Sequence, residues 1–246
     1  MLQLPKDRMD IEIESHIENP DRIQWRRDQL ARAAVERFAS NGYHATTIKE
    51  IAETAGVSPG LIYTYVKDKE DVLLLVFQAT FRKYQEEIPR KLDGITDPLQ
   101  RFCTGVRAYC ESVGSNLGAT VIAYQESKSL SPVRRKIIQE FELKTNKFIS
   151  DPLQECIKAG YFRPLDAELV TCRLVLLAHG WALKHWFLRE KISLNGYIEE
   201  TLSLFLHGLL TPSGWQHWHS LAGEVNAGPL VQPPAPQPVA KSRRKK

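Results

Sequence analysis

The chain has 246 residues, of which 43% are hydrophobic and 25% are charged, a composition typical of a globular protein with room for two small domains. Its formal charge of +4 is concentrated at Lys241 and residues 243–246, and subtracting these leaves the chain slightly negative. Bulk charge therefore does not predict nucleic-acid binding, which would need local placement of Lys and Arg. No apolar run approaches the roughly 20 residues of a membrane span and no signal peptide is recognisable, so we expect a cytoplasmic protein without a membrane partner.

The first 20 residues are polar and mostly acidic, and we expect them to form a flexible arm. A first helix is predicted from about Arg22 to Ser40, where apolar residues recur at helical spacing. The pair Asn41-Gly42 is typical of a helix end, because glycine adopts the left-handed conformation that terminates helices.

Residues 46–69, TTIKEIAETAGVSPGLIYTYVKDK, predict two short helices joined by a tight turn. Thr47 and Glu50 have the spacing of a capping box, and Ala52 is small where the two helices would cross. Gly56 offers the positive φ of a sharp turn. Ser58-Pro59 is typical of an N-cap and first helical residue. This arrangement indicates a helix-turn-helix, whose second helix enters the major groove of DNA.

The wider segment LARAAVERFASNGYHATTIKEIAETAGVSPGLIYTYVKDKEDVL resembles the TetR family of transcriptional regulators. The likeness includes Phe38 and Gly42-Tyr43 of the first helix, the Thr-Thr-Ile opening and the Ala-Gly-Val-Ser turn. It implies that base edges are met by Ser58, Pro59, Gly60 and Thr64, and phosphates by Thr47, Tyr63, Tyr65 and Lys69. For Tyr65 a place in the protein core is an equal alternative. Few of these side chains are long enough for bidentate base contacts, so shape would contribute to recognition.

The pattern beyond the turn predicts an all-α fold, with an N-terminal three-helix head and a C-terminal helical bundle. The head spans residues 21–68, and a helix over 69–90 stops at Pro89. The resemblance implies that this helix links the head to a ligand-binding body. The ligand-binding and dimerisation domain spans 91–212, with a break or kink at Pro152. Residues 223–246 are rich in proline and basic at the end, which predicts a disordered tail.

The body is rich in aromatic residues, which suits an apolar effector with a polar head. The candidate ligand-binding residues are Phe102, Val106, Tyr109, Tyr124, Gln125 and Trp181. The segment AYQESKSLSPVRRKI is similar to family members that sense fatty acyl-CoA, and this would let Arg134, Arg135 and Lys136 meet phosphates. A solvated basic helix start is the alternative. Helices predicted over about 166–191 and 196–210 are strongly apolar, and the resemblance implies that they form a homodimer interface.

The predicted function is a DNA-binding transcriptional regulator, most simply a repressor. A small apolar or amphipathic effector, such as a fatty acyl-CoA or another apolar acid, would release it from an inverted-repeat operator. Alternatives are a ligand-blind or architectural DNA-binding protein and a redox sensor using Cys103 and Cys110, which share a helix face. We expect no enzyme, metal site or cofactor, because the sequence has no nucleophile elbow, HExxH motif, phosphate loop or Cys/His metal spacing.

Overall fold

A computed structural model describes residues 20–224. The predictions of a flexible arm and a disordered tail fall almost entirely outside these residues. The described part contains one isolated β-bridge, Phe162–Leu210, and no strand, so the all-α prediction is confirmed. Its α-helices are α1 (Pro20–Asn41), α2 (Ile48–Thr54), α3 (Pro59–Ile62), α4 (Lys69–Leu92), α5 (Pro98–Gly114), α6 (Leu117–Glu126), α7 (Pro132–Lys158), α8 (Ala167–Leu183), α9 (His185–Leu188), α10 (Leu194–Leu209) and α11 (Pro212–Glu224).

The head packs α1, α2 and α3 against the first half of α4. Leu30, Ile51 and Ile62 are fully buried in this core. The same apolar cluster extends to Ile122 of α6 and Phe141 of α7, so the head shares part of its core with the body. The domain limits stay a prediction.

The body is built around α5, which packs against α4, α7, α8 and α10. Phe102 of α5 is fully buried and meets Phe162 edge-on at a ring-centroid distance of 5.1 Å. Leu153 of α7 and Leu174 of α8 complete the centre of this second core. Among residues 20–224, no helix has the length and apolar character to cross a bilayer.

Two prolines predicted to end or interrupt helices do neither. Helix α4 continues through Pro89 to Leu92, and α7 runs unbroken through Pro152 to Lys158. A proline inside a helix removes one backbone hydrogen bond, but both helices are long and pack extensively against the body. Pro152 is itself buried in that packing, so its apolar ring offsets part of the loss. Tertiary packing therefore overrides the local signal.

Gly105 of α5 lies against the α7 carbonyl that Pro152 leaves without its usual helical donor. A Cβ at Gly105 would come within 2.5 Å of the Phe148 carbonyl oxygen. We expect Gly105→Ala to lower the free energy of unfolding by about 2 kcal/mol, because neither backbone can yield without separating the helices. Urea unfolding measures this. Gly60→Ala is the control, since nothing lies within 4 Å of its added Cβ, and equal stability of the two variants would contradict the close-packing argument.

Near the carboxyl end, one predicted helix extends too far and one helix was not predicted. The helix predicted to reach about residue 191 ends at Leu183, and the short α9 follows it. Helix α11 was not predicted, although its start carries a recognisable signal. Thr211 Oγ1 accepts a hydrogen bond from Gly214 N at 3.0 Å, and Pro212 is the first helical residue. A capping hydroxyl followed by proline is a helix start.

Candidate nucleic-acid interface and effector cavity

The helix-turn-helix is held together by the local interactions that the sequence indicated. Thr47 N donates to Glu50 Oε2 at 2.7 Å, and Glu50 N donates to Thr47 Oγ1 at 3.2 Å. The pKa of the Glu50 carboxyl is lowered by the bond from Thr47 N and by a second bond, at 2.8 Å, that the Thr47 hydroxyl donates to Glu50 Oε2. Gly56 has a φ of +67°, and Val57 N donates to Ala52 O at 2.9 Å across the turn. Ala52 is fully buried, which lets α2 and α3 approach closely.

The exposed surface of the second helix consists of short side chains and one aromatic ring. Ser58 caps α3 by accepting from Leu61 N at 3.2 Å, and Ser58, Pro59 and Gly60 are exposed. Tyr63 is 55% exposed. Surface of this kind can offer a hydroxyl and backbone groups to DNA, but no long side chain with a fixed pair of donors.

Two of the residues assigned to DNA by the resemblance are already engaged inside the head. Tyr65 is 2% exposed and belongs to the head core, so the core alternative holds and its hydroxyl does not face phosphate. The Thr64 side chain is half-buried, and its hydroxyl donates to Leu61 O at 2.7 Å. The spacing Tyr-x-Tyr did not distinguish these faces, because the chain leaves the helix at Tyr63.

Lys69 also has a structural role. Its ammonium donates to the carbonyls of Tyr43, His44 and Thr46 at 2.9, 3.0 and 3.1 Å, and it lies over the Tyr43 ring at 4.7 Å from the centroid. These bonds use all three donors of the ammonium. Lys69 therefore ties the start of α4 to the segment before α2, and its predicted direct phosphate contact needs revision.

A cavity of about 290 Å³ lies within the body, and we call it the body cavity. Helices α4, α5, α6, α7 and α8 all contribute to its wall. The lining is mainly aromatic and aliphatic, with polar groups at defined places. The lining residues are Phe77, Thr80, Phe81, Tyr84, Tyr109, Ala119, Thr120, Ala123, Tyr124, Ser127, Arg135, Ile138, Gln139, Glu142 and His179.

Three polar side chains in this wall form a hydrogen-bonded trio. His179 Nε2 lies 3.1 Å from the Tyr109 hydroxyl, and His179 Nδ1 lies 3.0 Å from the Tyr124 hydroxyl. Burial lowers the pKa of His179 to about 4, so the imidazole is neutral near pH 7. Burial also raises the pKa of both tyrosines. Tyr109 is 1% exposed and Tyr124 43% exposed, so the trio extends from the protein interior towards solvent.

Arg135 and Glu142 bring charged groups to the cavity from α7. Arg135 Nη2 donates to the carbonyls of Lys128 and Leu130, both at 3.0 Å, while its buried Nε has no hydrogen-bond partner. Partial burial raises the pKa of the Glu142 carboxyl. The neighbouring Arg134 points elsewhere and bonds to acidic residues at the start of α4.

The structure brings only some of the predicted effector residues to the cavity. Tyr109 and Tyr124 line it, but Phe102 and Val106 are buried in the second core. Gln125 is exposed, and Trp181 packs against Tyr197 at 5.4 Å between ring centroids. His179, Arg135 and Glu142 line the cavity but were not among the candidate ligand-binding residues. The contact between Tyr109 and His179 cannot be predicted from local sequence, because the two residues are 70 positions apart.

A second, more charged cleft of about 450 Å³ lies between α1, α4 and α6, and we call it the junction cleft. Arg32, Arg82 and Lys83 line it. Arg82 Nη1 bonds Asp28 at 2.8 Å, and Lys83 Nζ bonds Asn116 at 2.9 Å. Thr80 and Ala119 line both spaces, so the two are adjacent.

Cys103 and Cys110 are poorly suited to redox sensing. Burial raises the pKa of Cys110 to about 12 and that of Cys103 still further. Thiolate is the form that reacts with oxidants and disulfides, so both thiols are disfavoured as sensors.

Helices α8, α9 and α10 leave an apolar face uncovered. Large hydrophobic side chains are exposed along it, with Trp186 at 68% and Leu204 at 70%. The other exposed members are Leu169, Leu176, Leu183 and Phe187. Exposed apolar side chains in such number are typical of an interaction surface.

Comparisons with known proteins cover both halves of the chain. Family models described as "Bacterial regulatory proteins, tetR family" and "Tetracyclin repressor-like, C-terminal domain" match residues 30–76 and 96–209. The chain is 41% identical over 202 residues to the HTH-type transcriptional regulator HbdR of Aromatoleum sp. (strain CIB), covering 82% of this chain and 88% of that protein.

Two solved structures at 25% identity share the fold. The ketosteroid transcriptional regulator KstR2 of Mycobacterium tuberculosis superposes with a TM-score of 0.62, covering 81% of this chain and 99% of that one. The fatty acid degradation regulator FadR from Bacillus halodurans superposes with a TM-score of 0.63, covering 77% of this chain and 96% of that one. The resemblance therefore extends well beyond the helix-turn-helix.

Proposed function

The chain belongs to the TetR family of bacterial transcriptional regulators, and we propose that it is a repressor that a small amphipathic effector releases from its operator. It is a DNA-binding regulator and not an enzyme. We place it in the cytoplasm, where chromosomal DNA is accessible to it.

The observation that carries the proposal is the course of α4. Its first half is buried in the head core, while Phe77, Thr80, Phe81 and Tyr84 line the body cavity. An effector that favours a different position of this wall would therefore favour a different position of the head. A ligand shifts such an equilibrium only through its different affinities for the two states.

We propose that the operator contacts come from the exposed part of the head. Ser58, Pro59 and Gly60 would approach base edges, and Tyr63 and Thr47 would approach phosphates. Thr64 and Tyr65 would support this surface from inside, and Lys69 would fix its position.

We propose that the apolar face of α8, α9 and α10 forms a homodimer interface. A two-fold axis through this face would present two heads to one inverted repeat, with recognition helices about 34–36 Å apart for successive major grooves. Trp186 and Leu204 would then be covered, as large apolar side chains in a stable interface are.

The effector that fits best is an apolar acid, with a fatty acyl-CoA as the first candidate. The aromatic walls of the body cavity suit an apolar group, and Arg32, Arg82 and Lys83 in the adjoining junction cleft suit an anionic one. The names of the two structural relatives above refer to ketosteroids and fatty acid degradation, which also involve largely apolar compounds.

Operator release tests this function. An inverted repeat from DNA upstream of the gene is labelled, and fluorescence anisotropy follows release by acyl-CoAs, fatty acids and aromatic acids. Native mass spectrometry of freshly purified protein searches for a co-purifying compound. Ala123 lines the body cavity, so Ala123→Phe places a large side chain in it. This variant is expected to bind the operator normally and to resist release by the effector. The control is Ala159→Phe at an exposed position, which is expected to release the operator normally. An operator complex that ignores every compound, with no co-purifying mass, would favour the ligand-blind alternative.

A further inference from the structure

The trio Tyr109–His179–Tyr124 contains two hydroxyl donors and, at neutral pH, one imidazole N–H donor. Its two internal hydrogen bonds use only two of these three donors. A neutral imidazole has one N–H donor and one acceptor nitrogen. One tyrosine must therefore donate its proton to His179, and the other must accept the proton of His179. The accepting tyrosine keeps an O–H donor that the trio itself does not use.

That remaining donor belongs to the wall of the body cavity whichever tautomer is present. Both tyrosines line the cavity, and the two bonds to His179 are the hydrogen bonds that their hydroxyls make within residues 20–224. The rest of the wall includes the apolar side chains of Phe77, Phe81 and Ile138 as well as polar groups, among them Gln139 and Glu142. Tyr109 is 1% exposed, and buried polar groups almost always find a hydrogen-bond partner. When Tyr109 carries the remaining donor, a ligand without an oxygen beside it would leave that donor poorly satisfied.

The size of the cavity limits the group that supplies the partner. A cavity of about 150 Å³ holds benzene, and the body cavity measures about 290 Å³. One six-membered ring with short substituents, or a chain of similar volume, therefore fits within it. The aromatic side chains of Phe81, Tyr84 and Tyr109 in the wall favour a ring.

We propose that the effector carries, on the apolar part that enters the body cavity, a hydroxyl or carbonyl oxygen that accepts a hydrogen bond from the Tyr109–His179–Tyr124 trio. This inference rests on the proposed function, because it names the chemistry of the same effector site. The trio would then cause ligands with this oxygen to bind more tightly than analogues that lack it. Sites built to bond a ligand oxygen discriminate in this way, since the analogue leaves a buried group unpaired.

Direct binding to the full chain, without DNA, tests the proposal. The probes are phenylacetyl-CoA and its three ring-hydroxylated isomers, which place the oxygen at different depths, and calorimetry measures each Kd. At least one hydroxylated isomer is expected to bind about tenfold more tightly than phenylacetyl-CoA, the effect of one additional buried hydrogen bond.

Isosteric variants assign the effect to the trio. The preference for the oxygenated isomer is expected to fall below about threefold in Tyr109→Phe or Tyr124→Phe, because removing one hydroxyl removes or redirects the available donor. Tyr84→Phe is the matched control, since Tyr84 lines the same cavity but is not a member of the trio. It should keep the full preference. Loss of cavity shape would instead weaken all four probes alike.

Three results would overturn the proposal. The first is that the unmodified protein binds phenylacetyl-CoA as tightly as, or more tightly than, every hydroxylated isomer. The second is that the preference for a hydroxylated isomer survives in both Tyr109→Phe and Tyr124→Phe. The third is that none of the four probes binds. The proposed function has a separate test, because operator binding and release by any other compound would leave it intact. Failure of the operator assay alongside a trio-dependent preference would instead refute the repressor and retain the site.

Discussion

Replacing Arg134 by alanine is expected to lower the free energy of unfolding by about 3 kcal/mol, because it removes the partner of a buried carboxylate. Arg134 Nη2 bonds Asp71, whose side chain is only 4% exposed. Its Nη1 bonds Glu70 at 2.8 Å and Asp68 at 3.2 Å. Asp71 would keep one bond, from Lys67 N at 2.8 Å, but would lose its counter-charge. Urea unfolding followed by circular dichroism measures the loss.

The same substitution is expected to weaken the link between effector and operator. Arg134 joins the start of α7 to the start of α4, and the next residue, Arg135, lines the body cavity. Without Arg134, the start of α4 is held less firmly to α7, so more effector is needed for release although the effector binds the body with unchanged affinity. Coupling between two sites requires a structural element that has two arrangements and contacts both sites. Measuring effector Kd by calorimetry and release by anisotropy separates the two quantities.

The exposed Lys136 provides the control for Arg134. Lys136→Ala removes a charge from the same helix turn and should change stability by less than about 0.5 kcal/mol. If Arg134→Ala unfolds at the same urea concentration as the unmodified protein and releases the operator at the same effector concentration, the Arg134 network has neither role.

The helix-turn-helix could be predicted from the sequence because the interactions that define it are local. Thr47 bonds Glu50 three residues away, and Gly56 needs its positive φ for the adjacent turn. Such requirements depend on residue type and spacing alone. The face of Tyr65 was different, because it depends on where α3 ends and on the core that α1 and α4 build around it.

The helix ends and the cavity depended on distant packing. Pro152 continues α7 because its ring is buried and Gly105 of another helix accommodates the Phe148 carbonyl. Phe102 and Tyr109 lie seven residues apart on one face of α5, yet Phe162 covers the first and the second borders the cavity. An apolar stripe predicts burial, but it does not say which part of the stripe faces a ligand.

Replacing Tyr63 by alanine is expected to weaken operator binding more than any other single change on the exposed surface of the head. Tyr63 is 55% exposed at the end of α3, and we propose that its hydroxyl donates to a phosphate. Hydrogen bonds to charged groups contribute about 1.5–3 kcal/mol, or about tenfold or more in affinity. Because a dimer places two such tyrosines on one operator, the combined loss should reach about 100-fold.

Because phosphate contacts carry no sequence information, Tyr63→Ala should weaken binding to operator and unrelated DNA by similar factors. The salt dependence should stay unchanged, since tyrosine releases no counterions. Tyr63→Phe separates the hydroxyl from the ring: a loss equal to that of alanine assigns the effect to the hydrogen bond, and a smaller loss assigns part of it to ring contacts. Urea unfolding should remain within about 0.5 kcal/mol of the unmodified protein, because the residue is on the surface. Unchanged operator affinity in both variants at moderate salt would contradict this docking of the head. A loss of affinity for the operator but not for unrelated DNA would indicate that Tyr63 contacts base edges instead of phosphates.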